Sequence, residues 1–191
     1  MMIFHCSGLF PENKKVIAIV GPRRPPLEDP SSIQHLRDCH MAYTLARQAA
    51  KKGLVVLSGL ATGIDTAAHN GCLDEGGITV AVVPFGLSAP VYPPENKDLA
   101  VKIMQRGGCL LSPFKSGQST AKWTFVVRDK VQAMLSSKVL VVGTFPPDGI
   151  ITGGTRHCAR WARNLGKPLY HYLEMNGFYL VRKDCEILTK D

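Results

Sequence analysis

The stretch LVVLSGLATGIDTAAHNG, residues 54–71, decides the fold. Leu54 to Leu57 would be apolar on both faces of a strand, which suits a sheet covered on both sides rather than one wetted face. The chain then turns through Ser58-Gly59-Leu60-Ala61-Thr62-Gly63 and enters a run of helix length. A buried strand that ends in small residues and feeds directly into a helix is the βα turn of an α/β protein. Such turns offer unpaired main-chain amides and the positive end of a helix to an anionic ligand.

Working outward, the same pattern repeats. VIAIVG (16–21), TVAVVP (79–84), CLLS (109–112) and KVLVVG (138–143) are further short apolar runs. Between the runs lie segments of helix length that begin near Ile33, Gly63, Glu95 and Trp123, and Gly53 stops the first of them. Strands alternating with helices predict an α/β fold, a doubly wound, mainly parallel Rossmann-like sheet with right-handed crossovers. PLYHYLEMNGFYLVRKD (168–184) adds two strand-like runs around Asn176-Gly177, a C-terminal β-hairpin signal. The expected organisation is one Rossmann-like unit over 1–191, with residues 1–15 as an N-terminal extension and 168–184 as the terminal strand and hairpin.

Composition bounds the function. The 191 residues are 45% hydrophobic and 20% charged, values of an ordinary folded chain rather than a disordered or fibrous one. Lys and Arg number 23 against 15 Asp and Glu, leaving +8, a balance that favours an anionic partner. The six cysteines stand singly with no C-x-x-C pair, so neither a zinc knuckle nor a redox dithiol is expected. No metal-ligand spacing and no cofactor fingerprint stand out, so no metal or cofactor is expected. The opening MMIFHCSGLFPENKK does not read as a signal peptide, and no segment reaches the roughly 18 apolar residues of a membrane span; a cytoplasmic protein without membrane contact is the expectation.

In such sheets ligands sit beyond the carboxyl ends of the strands, where the strand order reverses. Gly21, Arg23 and Arg24 follow the first parallel strand, where a guanidinium can grip a phosphate with paired hydrogen bonds. In the 58–63 turn, Gly59 and Gly63 let the backbone approach a ligand and Ser58 can donate. The turn is neither G-x-G-x-x-G nor a Walker loop. Asp65 and His69 read as support for its shape. Lys115, Lys122, Arg128 and Lys130 concentrate charge on the same rim, and Trp123 and Phe125 are aromatic candidates for base stacking or for packing. TRHCARWARNLGK (155–167) reads as a helix with an apolar stripe and a basic face. No arrangement of nucleophile, base and acid emerges, so the site reads as one for binding rather than catalysis.

These residues resemble the Rossmann core of the DNA-processing protein A (DprA/Smf) family, from about residue 16 to about 170. VVLSGLATGIDTAAHNGCLDEGGITVAVVPFGLSAPVYPPEN (55–96) follows the family's S-G-x-A-x-G-I-D-x-x-A-H, G-x-T-x-A-V and Y-P-x-x-N pattern. Gly21-Pro22-Arg23 is similar to its G-S-R. The resemblance implies single-stranded DNA as partner, held by its phosphates in a basic pocket, with a RecA-type recombinase and a homodimer as associations. It implies contacts from Arg23, from the turn that carries Ser58, Gly59, Ala61 and Gly63, from Asn96, and from Arg128, Lys130 and Thr152. The family's F-P-x-R-N-R reads Phe125-Val126-Val127-Arg128-Asp129-Lys130 here, and its glutamate after the fifth strand is Gly143. The alternative is a nucleotide or nucleotide-derivative sensor, or a hydrolase of the related LOG type, whose P-G-G-x-G-T-x-x-E motif finds only GIITGGTRH (149–157), without the glutamate.

Overall fold

The computed structural model describes residues 2–23, 25, 28–29, 31–145 and 148–183. Within them the parallel core runs β2 (Val16–Val20), β3 (Val55–Ser58), β4 (Thr79–Val82), β5 (Cys109–Ser112), β6 (Val139–Val142) and β7 (Leu169–Met175). An edge strand β1 (His5–Gly8) precedes it and β8 (Phe178–Lys183) closes it. The connecting helices are α1 (Ser32–Lys51), α2 (Ile64–Asp74), α3 (Lys97–Gln105), α4 (Lys122–Leu135) and α5 (Thr155–Asn164), with a 3-10 turn at Pro94–Asn96. The strands form one sheet in the order β1-β5-β4-β3-β2-β6-β7-β8, antiparallel only at its two ends. This is the doubly wound, mainly parallel Rossmann-like arrangement expected from the apolar runs.

Both faces of the sheet are covered, which is why its strands lack polar alternation. Val16, Ala18 and Val20 of β2 point into a layer filled from α4 and α5 by Val131, Cys158 and Ala162. Ile17 and Ile19 point the other way, onto Ala42, Ala46 and Ala49 of α1 and Ile64 and Ala68 of α2. The small alanine stripe at i, i+4, i+7 brings α1 close to the sheet. A third cluster, with Leu99, Ala100 and Ile103 of α3, covers Ala81 and Leu110.

Asn176 and Gly177 join β7 to β8 with φ of +52° and +85°, the left-handed pair that a two-residue hairpin requires. Strand β1 has no such signature: HCSG carries no β-branched residue, and its place is set by Phe4 and Phe10 packing on the core beside it. Among the described residues no helix is long and apolar enough to cross a membrane.

Candidate functional site

Strand β2 lies between β3 and β6, so the chain departs from it in opposite directions and a crevice opens beyond its carboxyl end. There the structure holds a cavity of about 770 Å³. Gly21 and Arg23 bound it after β2, and Thr144 and Phe145 after β6. Helix α4 contributes Lys122, Phe125, Arg128 and Asp129, and Thr152 through Thr155 bring the first turn of α5 to its edge. A small annex of about 40 Å³ lies against it, walled by Arg23, Gly59, Thr62, Tyr92 and Phe125.

The 58–63 turn is built tightly against this crevice. The Arg128 guanidinium lies directly on Gly59: a Cβ there would fall 1.2 Å from Nη1 and 2.8 Å from an Asp65 oxygen. Arg128 Nη1 is 3.4 Å from Asp65 Oδ2, and its Nε is 3.2 Å from Asp129 Oδ1, an ion pair without hydrogen-bond alignment. Asp65 also accepts the Ala61 N–H at 3.2 Å. With the Gln132 amide oriented so that its nitrogen donates to Asp129, its oxygen accepts the Gly59 N–H at 3.0 Å. The amides at Gly59 and Ala61 are therefore satisfied by the protein's own side chains. The Ser58 hydroxyl is likewise committed, donating to the Ile19 carbonyl at 2.7 Å. Gly63, at φ +90°, leads into α2.

Two buried groups that feel the Arg128 charge are shifted strongly. Burial pushes the Asp129 carboxyl up to about 6, with Arg128 opposing the rise and Asp65 adding to it. Burial, reinforced by the Arg128 charge, brings His69 down to about 3, so its ring is neutral. Thr79 donates its hydroxyl to the Val56 carbonyl at 2.7 Å, so His69 Nδ1, 2.7 Å from the same oxygen, carries the hydrogen and donates to it. The floor thus sets one guanidinium, Arg128, between two acidic side chains, Asp65 and Asp129.

The rim is different. Arg23 stacks 4.5 Å from the Phe125 ring centroid and 6.0 Å from that of Tyr92, and the two rings meet edge to face at 5.7 Å. Of the residues singled out from the sequence, Gly21, Arg23, Ala61, Asp65, Lys122, Phe125, Arg128 and Thr152 share the main cavity, and Gly59 walls the annex. Asn96 stands apart, buried, its amide donating to the Leu60 carbonyl at 2.7 Å and to Thr66 Oγ1 at 2.9 Å. Lys115 is exposed on the loop after β5, and Lys130 lies farther along α4 with its ammonium 4.3 Å from the Trp161 ring centroid. Arg24 lies outside the described residues.

Sequence reasoning passed over Asp38, which lies on the cavity wall. Its Oδ2 accepts the Thr144 N–H at 2.8 Å, and Gln34, the Thr144 hydroxyl and the Tyr179 hydroxyl reach Oδ1 at 3.2, 3.2 and 3.1 Å. This carboxylate ties α1, the loop after β6 and β8 together. A signal existed: Asp38 falls in register with the buried alanines at 42, 46 and 49.

Comparison with known proteins agrees with this architecture. The family model described as DNA recombination-mediator protein A matches residues 1–180. A DNA processing protein DprA of Mycobacterium tuberculosis is 36% identical over 158 residues, which cover 79% of this chain and 39% of that protein. Protein Smf of Escherichia coli K12 is 30% identical over 153 residues, 73% of this chain and 39% of that protein. The chain thus spans about two fifths of the length of these curated relatives. Among solved structures, DNA processing protein A of Helicobacter pylori, studied for its mode of binding single-stranded DNA, aligns with a TM-score of 0.72 at 26% identity, over 92% of this chain and 74% of that one. The chain belongs to the DNA recombination-mediator protein A (DprA/Smf) family.

Proposed function

We propose that this chain binds single-stranded DNA by its phosphates at the mouth of the switch-point cavity. One observation carries the reading: Arg23, Lys122 and the first turn of α5 border the same opening at the end of the sheet where α/β folds hold anions. The guanidinium of Arg23, backed by Phe125, is positioned by stacking and keeps its donors for a phosphate. The opening amides of α5 and its dipole supply a second locus for negative oxygen. Asp65 and Asp129 beneath them keep the phosphates at the rim. The relative from Helicobacter pylori, which binds single-stranded DNA, supports this choice of ligand.

Phosphate contacts fix a strand without reading its sequence and leave the bases open for pairing. That is the presentation a RecA-type recombinase needs, and we extend the proposal to a role in recombination with such a partner. The test is a titration of labelled single- and double-stranded oligonucleotides at two salt concentrations, with nucleoside monophosphates as competitors. Single strands should bind more tightly, with affinity falling as salt rises, and Arg23→Ala should weaken all sequences alike. Salt-independent binding, or wild-type affinity in that variant, refutes the reading. Stabilisation by nucleoside monophosphates without any binding of oligonucleotides would assign the cavity to a small molecule instead.

A further inference from the structure

The second residue of helix α4 is an aromatic that the phosphate-binding reading leaves unused. Trp123 is 54% exposed, although a side chain of that size is ordinarily well covered. Its ring is not loose: buried Phe114 meets it edge to face, with centroids 5.4 Å apart and planes at 78°. One residue before it, Lys122 lines the cavity, and two residues after it Phe125 carries Arg23. Lys115, directly after Phe114 in the chain, is exposed.

We infer that Trp123 is a stacking platform for an unpaired base, placed where the strand leaves the cavity mouth between Lys122 and Lys115. The inference rests on the single-strand reading above and gives the strand a direction, from Arg23 across the start of α4 toward the loop after β5. The chemistry fits this occupant. A rigid, exposed indole face is what a base stacks on, and one lysine beside it in the chain and another beside the Phe114 it packs on suit the phosphates that flank that base. A protein partner fits less well, because the cores of protein interfaces are depleted in lysine, whereas here lysines flank the aromatic.

The experiment compares two strands of equal length, oligothymidylate and its abasic counterpart, against the wild type, Trp123→Phe and Trp123→Ala. Wild type should prefer the strand that carries bases. Trp123→Ala should lose about 5- to 150-fold on oligothymidylate and nothing on the abasic strand, with Trp123→Phe in between. Indole fluorescence supplies a second readout, since the chain has two tryptophans. Oligothymidylate should quench wild-type emission, and Trp123→Phe, which keeps Trp161, should lose that quenching. Equal affinity of Trp123→Ala and wild type for oligothymidylate overturns the stacking role while leaving phosphate binding intact. A wild type that binds neither strand overturns both.

Discussion

Gly59 and Arg128 compete for one volume, and that fixes both residues. A methyl group at 59 would overlap the guanidinium, whose alternatives are restricted by Asp65 and Asp129 and by near-complete burial. Gly59→Ala should therefore expel Arg128, leave two carboxylates without their counter-charge, and cost about 3–5 kcal/mol in a urea denaturation midpoint. A loss under 1 kcal/mol would show that the pair is dispensable. Asp129 bears on ligand binding as well. Its carboxyl, raised to about 6, gains a proton as pH falls through that value, while phosphodiesters stay ionised. One negative charge beside the cavity then disappears, so affinity for single-stranded DNA should rise between pH 7.5 and 5. Asp129→Asn should bind more tightly at pH 7.5, by about 1 kcal/mol or roughly fivefold, and lose that pH step. A pH profile unchanged in the variant would exclude Asp129 as its origin. That Gly59 permits a close approach was legible in the sequence. The group that approaches was not, because it comes from a helix 69 positions later.

Among elements, the turn between β3 and α2 stores strain that another element holds. Leu60 is a buried, non-glycine residue at φ +64°, a left-handed conformation that costs of order 1 kcal/mol or more. Asn96, at the end of the 3-10 turn, fastens it by donating to the Leu60 carbonyl and to Thr66. Asn96→Ala should lower stability by about 1–3 kcal/mol in urea denaturation, since it leaves a buried carbonyl unpaired. Asn96→Asp should be worse, because it sets an acceptor against that carbonyl. Equal stability of Asn96→Asp and wild type would remove the clamp from the account. Elements were legible where the physics is local. Apolar runs gave β2 to β6 and Asn176-Gly177 gave the hairpin, whereas β1 has no strand pattern of its own and owes its form to pairing with Cys109 to Ser112 and to the packing of Phe4 and Phe10. The placing of Asn96 against Leu60 depends on how two loops fold over one another, which the spacing of residues along the chain does not contain.

For the whole molecule, two buried groups that feel the Arg128 charge, Asp129 and His69, pull stability in opposite directions with pH. Asp129 is raised from 3.8 to about 6, so between those values the folded state holds a proton that the unfolded state has released, and its contribution falls as pH rises. His69 is lowered from 6.5 to about 3, so over that range the unfolded state binds the extra proton, and its contribution rises with pH. Each full proton difference changes stability by about 1.4 kcal/mol per pH unit, so from pH 4 to 6 the two slopes largely cancel. Asp129→Asn removes one of them. Relative to wild type the variant should be nearly unchanged at pH 4, where the folded wild-type carboxyl is already neutral. Its advantage should then grow to about 3 kcal/mol near pH 6 and level off above that, read from urea midpoints at intervals of half a pH unit. Should the variant instead be the less stable protein at pH 7, the Arg128–Asp129 ion pair outweighs the cost of burying its carboxylate. Selection for a stable fold would then account for the aspartate. If the advantage appears, burying the ionised carboxylate costs more than its pairing with Arg128 returns.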